Sequence, residues 1–162
     1  MTGVTLICVG SVKESYLREG IAEYAKRLSA FCDFRTVELK ETKIGDSASE
    51  REIALALDEE GTRILAALDA LPPRTHRIAL CVEGKQPDSA ELSRLIAEKR
   101  DECGSIALVI GSSCGLSPKV KNACHTRLSV SKLTFPHQMM RMLLTEILYR
   151  SFMIDAGRKY HK

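Results

Sequence analysis

Uninterrupted apolar runs alternate along this chain with longer stretches in which apolar residues recur every three or four positions. Val4-Thr5-Leu6-Ile7-Cys8-Val9, Ile78-Ala79-Leu80-Cys81-Val82 and Ile106-Ala107-Leu108-Val109-Ile110 are continuous, and Gly10 and Gly111 close the first and the last. Short, β-branched-rich runs bounded by glycine predict strands buried on both faces. Phe34 to Leu39 alternates with charged neighbours and predicts a further strand. Between the strands, Leu17, Ile21, Tyr24, Ala25, Leu28 and Phe31 draw one stripe along a helix over residues 15–31. Ser49 and Glu52 form an S-x-x-E box that opens a second helix, which runs to about Leu68 and stops at Leu71-Pro72-Pro73. Asp88 and Glu91 repeat that cap before a third helix ending near Cys103-Gly104, and Ser117-Pro118 supplies an N-cap and an N1 proline for a short fourth. Glu83-Gly84-Lys85 is expected to be the turn that ends the third strand, and Lys40 to Ala48 a surface loop.

The pattern culminates between Arg127 and Ser151. A β-like run breaks at Thr134-Phe135-Pro136-His137 and continues as a helix that is apolar almost all the way round. His137, Arg141, Thr145 and Tyr149 share its one polar face, and Glu146 stands four residues before Arg150. Such a helix belongs between layers or in a subunit interface. Five strand-helix pairs in succession predict an α/β fold with a mostly parallel sheet covered on both faces, in one domain over 1–162. Ligands of such sheets sit outside the carboxyl ends of the strands, so the loop at Thr134-Phe135-Pro136-His137 is the leading ligand site.

Composition changes this picture in two places. No apolar run approaches a membrane span and the amino terminus lacks the order of a signal peptide, so a cytoplasmic protein is expected. Cys8, Cys32, Cys81, Cys103, Cys114 and Cys124 form no C-x-x-C, and most fall within apolar runs, which predicts buried thiols rather than a metal. Cys114 is the exception, in a glycine-rich turn. The net charge of +3 hides an asymmetry: residues 1–118 carry 15 basic against 19 acidic residues, and residues 119–162 carry 9 against 2. A basic carboxyl-terminal third is the electrostatic footprint of a polyanion, although a solvated tail would have the same composition.

Gly111-Ser112-Ser113-Cys114-Gly115 is neither a dinucleotide fingerprint nor a phosphate loop. It does satisfy G-x-S-x-G, with Asp155 and His161 following in hydrolase order. Against an esterase stand the shortness of the chain and the closeness of Asp155 and His161 in one tail. A non-catalytic RNA-binding module using the same basic face is a further alternative.

Several stretches together resemble one family. They are Leu80-Cys81-Val82-Glu83-Gly84-Lys85, Leu108-Val109-Ile110-Gly111, Gly115-Leu116-Ser117, Leu133-Thr134-Phe135-Pro136-His137-Gln138-Met139-Met140-Arg141, Glu146-Ile147-Leu148-Tyr149-Arg150 and the closing Tyr160-His161-Lys162. The sequence resembles the ribosomal RNA large-subunit methyltransferase H family of the SPOUT superfamily over its whole length. The resemblance implies a carboxyl-terminal trefoil knot, S-adenosylmethionine as cofactor, no metal, a homodimer, and methylation of N3 of a pseudouridine in 23S rRNA of the assembled ribosome. Carried over position by position, it implies cofactor contacts at Leu80, Gly111, Val130, Ser131, Lys132, Leu133, Thr134 and Phe135. His161, Tyr160 and Arg150 are the implied catalytic group. Ser112 departs from the second glycine usual after this strand, which puts the cofactor affinity in question.

Overall fold

A computed structural model describes all 162 residues. Its elements are β1 (Gly3–Val9), α1 (Ser15–Leu28), β2 (Asp33–Leu39), α2 (Glu50–Asp69), β3 (His76–Lys85), α3 (Ser89–Cys103), β4 (Ser105–Ile110), α4 (Pro118–Asn122), β5 (Thr126–Leu128) and α5 (His137–Asp155). The strands form one sheet in the order β2-β1-β4-β3-β5, and every pair is parallel. The continuous runs of β1 and β4 thus occupy interior places, flanked on both sides and covered on both faces, where each backbone group has a ladder partner. No helix is long and apolar enough to cross a membrane.

Strand pleating sends alternate side chains into two cores. Val4, Leu6 and Cys8 of β1 join Leu28, Leu92, Ile96, Leu144, Leu148 and Phe152, so α1, α3 and α5 cover one face. Ile7 and Val9 join Ile64, Leu68, Leu116 and Val120 under α2 and α4 on the other. α5 packs against both α1 and α3. At Gly20 of α1 the Met142 sulfur occupies the space a Cβ would fill, 2.4 Å from its position.

The polar stripe expected on α5 faces inward. Arg141 and Thr145 are buried, and Thr145 Oγ1 donates to the Arg141 carbonyl at 2.8 Å. Arg141 pairs with Glu38 at 2.7 Å and reaches the Gly10 carbonyl at 3.4 Å, while Lys13 N–H donates to Gln138 Oε1 at 3.1 Å. The first turns of α5 are thereby tied to the segment after β1.

Three local expectations need correction. β3 does not end before Glu83-Gly84-Lys85: Leu80 and Lys85 both stand opposite Leu128, so residues 81–84 bulge and the strand resumes. Gly84 permits this, since a Cβ there would lie 2.6–2.7 Å from the Arg127 and Leu128 backbone. Ser117 precedes α4 with Pro118 following, but its side chain caps nothing and its buried Oγ has no partner. α5 runs beyond Ser151 to Asp155. The cap at Asp88, reciprocal with Glu91, forms as the pattern predicts; at Ser49 the side chain accepts from Glu52 N–H, but the Glu52 carboxylate accepts from the Ser49 hydroxyl and not from its N–H.

Candidate functional site

The carboxyl ends of β3, β4 and β5 open into a cavity of about 710 Å³, within the range of small-molecule sites. Leu80, Gly111, Val130, Ser131, Leu133, Thr134 and Phe135 all line it; Lys132 does not. The wall is mainly apolar, completed by Cys81, Leu116 and Met140. Sequence reasoning missed Glu83 and Lys121, which pair across the wall at 2.6 Å. That bond holds the Glu83 carboxyl below its usual range.

The 129–136 loop is fixed at its base and free at its rim. Ser129 N–H donates to the Lys85 carbonyl at 2.8 Å, and Ser129 Oγ accepts from Gln86 Nε2 at 3.1 Å. From Val130 to Phe135 only Leu133 has its amide N–H bonded within the chain, to Ser131 Oγ at 3.0 Å. A run of unused main-chain donors along an apolar cavity is suited to a flat, polar-edged ring.

Opposite lies the turn after β4. Gly115 N–H donates to the Ser112 carbonyl at 2.9 Å, and Gly115 has φ of +88°, a conformation that favours glycine. A Cβ on Gly111 would lie 2.1 Å from the Gly115 carbonyl oxygen, so this close return of the chain requires glycine. Ser112 is buried and its hydroxyl donates to Glu60 Oε1 at 2.8 Å, a contact with no sequence signal.

The implied catalytic residues come together, but elsewhere. Glu146 accepts from Arg150 at 2.7 Å and from the Tyr160 hydroxyl at 3.0 Å. The Tyr160 ring lies 4.9 Å from that of Tyr149, with the Arg150 guanidinium 4.8 Å from the Tyr160 centroid. Arg150 Nη1 and His161 Nδ1 are 3.2 Å apart; a guanidinium only donates, so Nδ1 accepts and Nε2 remains for another partner. Burial, reinforced by the bond to Glu146, pushes the Tyr160 phenol well above its ordinary value, which keeps it a hydrogen-bond donor.

Neither Arg150, Tyr160 nor His161 lines the cavity. Arg150 stands 13 residues along α5 from His137, roughly 20 Å at helical rise. Within one chain the two groups do not meet. Nor does the hydrolase pattern assemble, because Asp155 is bonded to Arg100 at 2.6 Å and His161 to Arg150.

Comparison with known proteins covers nearly the whole chain. A family model described as "Predicted SPOUT methyltransferase" matches residues 2–161. The chain is 48% identical over 160 residues to the ribosomal RNA large subunit methyltransferase H of Streptococcus thermophilus strain CNRZ 1066, covering 98% of this chain and 99% of that one. It is 46% identical, with the same coverage, to the protein of that name from Clostridium novyi. Among solved structures, a Bordetella pertussis chain described as a "Probable Methyltransferase" has the same fold, with a TM-score of 0.52 and 20% identity over 92% of this chain and 95% of that one.

Proposed function

The chain belongs to the SPOUT methyltransferase family, and from that premise we propose that it methylates N3 of a pseudouridine in 23S rRNA on the assembled ribosome, as a homodimer using S-adenosylmethionine. The observation that carries the reading is the cavity between Gly111 and the 129–136 loop, with its unbonded main-chain N–H groups. Those residues fit an adenosyl group. The amides of Val130, Ser131, Thr134 and Phe135 offer hydrogen bonds to a ring edge, Leu80, Leu116 and Leu133 offer apolar walls, and Gly111 keeps the floor low. A knotted path, in which the turn after β4 and the 129–136 loop close on one ligand, is part of the same proposal.

When bound, the cofactor supplies a methyl group on a sulfonium, which needs no metal for activation. The protein must hold the nucleobase in line and help N3 lose its proton. His161 receives that proton directly or through a relay. Arg150 offsets the negative charge that develops on the base, and Tyr160 supplies a ring for stacking. Glu146 orients both Arg150 and Tyr160 through the bonds described above. Because the tail and the cavity of one chain stand apart, the dimer matters: the tail of a second copy would bring these groups to the cavity.

The excess of basic residues after Lys119 gives the protein its attraction to rRNA phosphates, an attraction that weakens with added salt. Mass spectrometry of rRNA from ribosomes incubated with the protein and isotopically labelled S-adenosylmethionine tests the reading. The expected product is one labelled methyl group on a pseudouridine; ribosomes that remain unlabelled would overturn it.

A further inference from the structure

Glu60 of α2 is the only carboxylate in the chain that is almost wholly buried, at 3% exposure. Its two oxygens face different segments. Oε1 accepts from the Ser112 hydroxyl at 2.8 Å, and Oε2 accepts from Thr42 N–H at 3.0 Å. No Lys or Arg forms an ion pair with Glu60; Arg63 pairs with Glu59 and Lys119 with Asp58. A buried carboxylate held by two neutral donors depends on both, since losing either leaves an unsatisfied group away from water.

The two donors belong to two functional surfaces. Ser112 opens the turn that floors the larger cavity. Thr42 opens the 40–48 segment, whose Lys43, Ile44 and Asp46 line a second cavity of about 430 Å³. Ser113 and Cys114 line both cavities, so the turn is a shared wall. Arg63 reinforces the anchor by donating to the Lys40 carbonyl and to Thr42 Oγ1, each at 2.9 Å.

We propose that Glu60 is a positioning residue that couples cofactor affinity to the order of the 40–48 segment through the one carboxylate shared by Ser112 and Thr42. The inference rests on the reading of the larger cavity as the cofactor site. The link needs the Ser112 hydroxyl, which a glycine at that position would lack. Coupling of this kind is reciprocal: cofactor binding steadies the segment, and a substrate that orders the segment tightens cofactor binding by the same factor.

Amide hydrogen exchange at Thr42, measured with and without S-adenosylmethionine beside calorimetric affinities, tests the coupling. In the free protein Ser112→Ala should raise Thr42 exchange about tenfold, because the carboxylate loses its second anchor. In the wild type the cofactor slows Thr42 exchange further; in Ser112→Ala that protection disappears. Glu60→Gln retains the link, its Oε1 accepting from Thr42 and its Nε2 donating to Ser112 Oγ. Glu60→Ala breaks the link, lowers the melting temperature and weakens the cofactor about tenfold, and Glu60→Gln restores both.

Cofactor-dependent protection that is equal in the wild type and Ser112→Ala overturns the proposal, as does Glu60→Gln behaving like Glu60→Ala. Should the wild type bind no S-adenosylmethionine, the cofactor reading fails. The exchange difference between free wild type and free Ser112→Ala then still decides the link between Ser112 and Thr42.

Discussion

His76 and His125 stack with ring centroids 5.1 Å apart and planes inclined by 24°. His76 Nε2 meets Thr126 Oγ1 at 2.8 Å, and His125 Nδ1 accepts from Arg77 N–H at 2.9 Å. Burial, then the charges of His125 and Lys99, hold the His76 imidazole below its ordinary 6.5, against smaller opposing effects of Glu102 and Glu98. The folded state therefore resists a proton that the unfolded chain accepts. Stability falls as pH drops below about 6.5 and levels off once folded His76 is charged as well. Melting temperatures from mildly alkaline to mildly acidic buffer should show this fall, and His76→Gln should flatten it. An unaltered slope in the variant would remove His76 as its source.

Thiol chemistry provides a probe of the cavity. Burial pushes Cys8 and Cys32 up to about 12 and Cys124 to about 11, which suppresses their thiolates. Cys114 is exposed and lies on the cavity wall. With limiting iodoacetamide, peptide mapping should find Cys114 modified first, at a rate that falls when S-adenosylmethionine is present. Modification indifferent to the cofactor would place the ligand elsewhere.

Gly111→Ala sets a methyl group against the Gly115 carbonyl, and neither atom belongs to a flexible side chain. The turn must open, so cofactor affinity should fall by at least about tenfold, or ~1.4 kcal/mol. Calorimetry on a variant that keeps its far-ultraviolet circular dichroism measures this; unchanged affinity would show the turn to be irrelevant to the ligand.

Removing residues 160–162, or changing Arg150 to Ala, takes away groups that the cavity does not contain. Turnover should drop about a hundredfold or more while cofactor affinity stays within about twofold. Glu146→Ala should show the same division, since it frees both Arg150 and Tyr160. Parallel loss of affinity and turnover would assign these residues to folding instead.

The strands at 3–9 and 105–110 are legible because burial on both faces leaves room for no charged residue and makes their interiors almost wholly apolar, and Gly10 and Gly111 punctuate their ends. A loop between the last strand and the buried helix is legible at 134–137, but its true start at Ser129 is not, because β5 is only three residues long. The bulge in β3 was not, because Gly84 is required only once the Arg127 and Leu128 backbone lies against it. Glu60 also escaped notice. In sequence it is one of three consecutive acids, and only packing against Ser112 and Thr42 distinguishes it from exposed Glu59. The tail was recognised as a chemical unit, but its place beside Glu146 depends on the Tyr149–Tyr160 ring contact, which no periodicity announces.

The ties between α5 and the segment after β1 join the two ends of the folding problem. Lys13 and Gln138 are 125 residues apart in sequence, and Gly10 and Arg141 are 131 apart. Such contacts carry the closure entropy of a long separation, part of which is met when β1 pairs with β4. The strands that precede α5 can pair earlier, but the loop after β1 waits for the last helix. Refolding should therefore be slow for a chain of this length, with protection of the Lys13 amide among the final events.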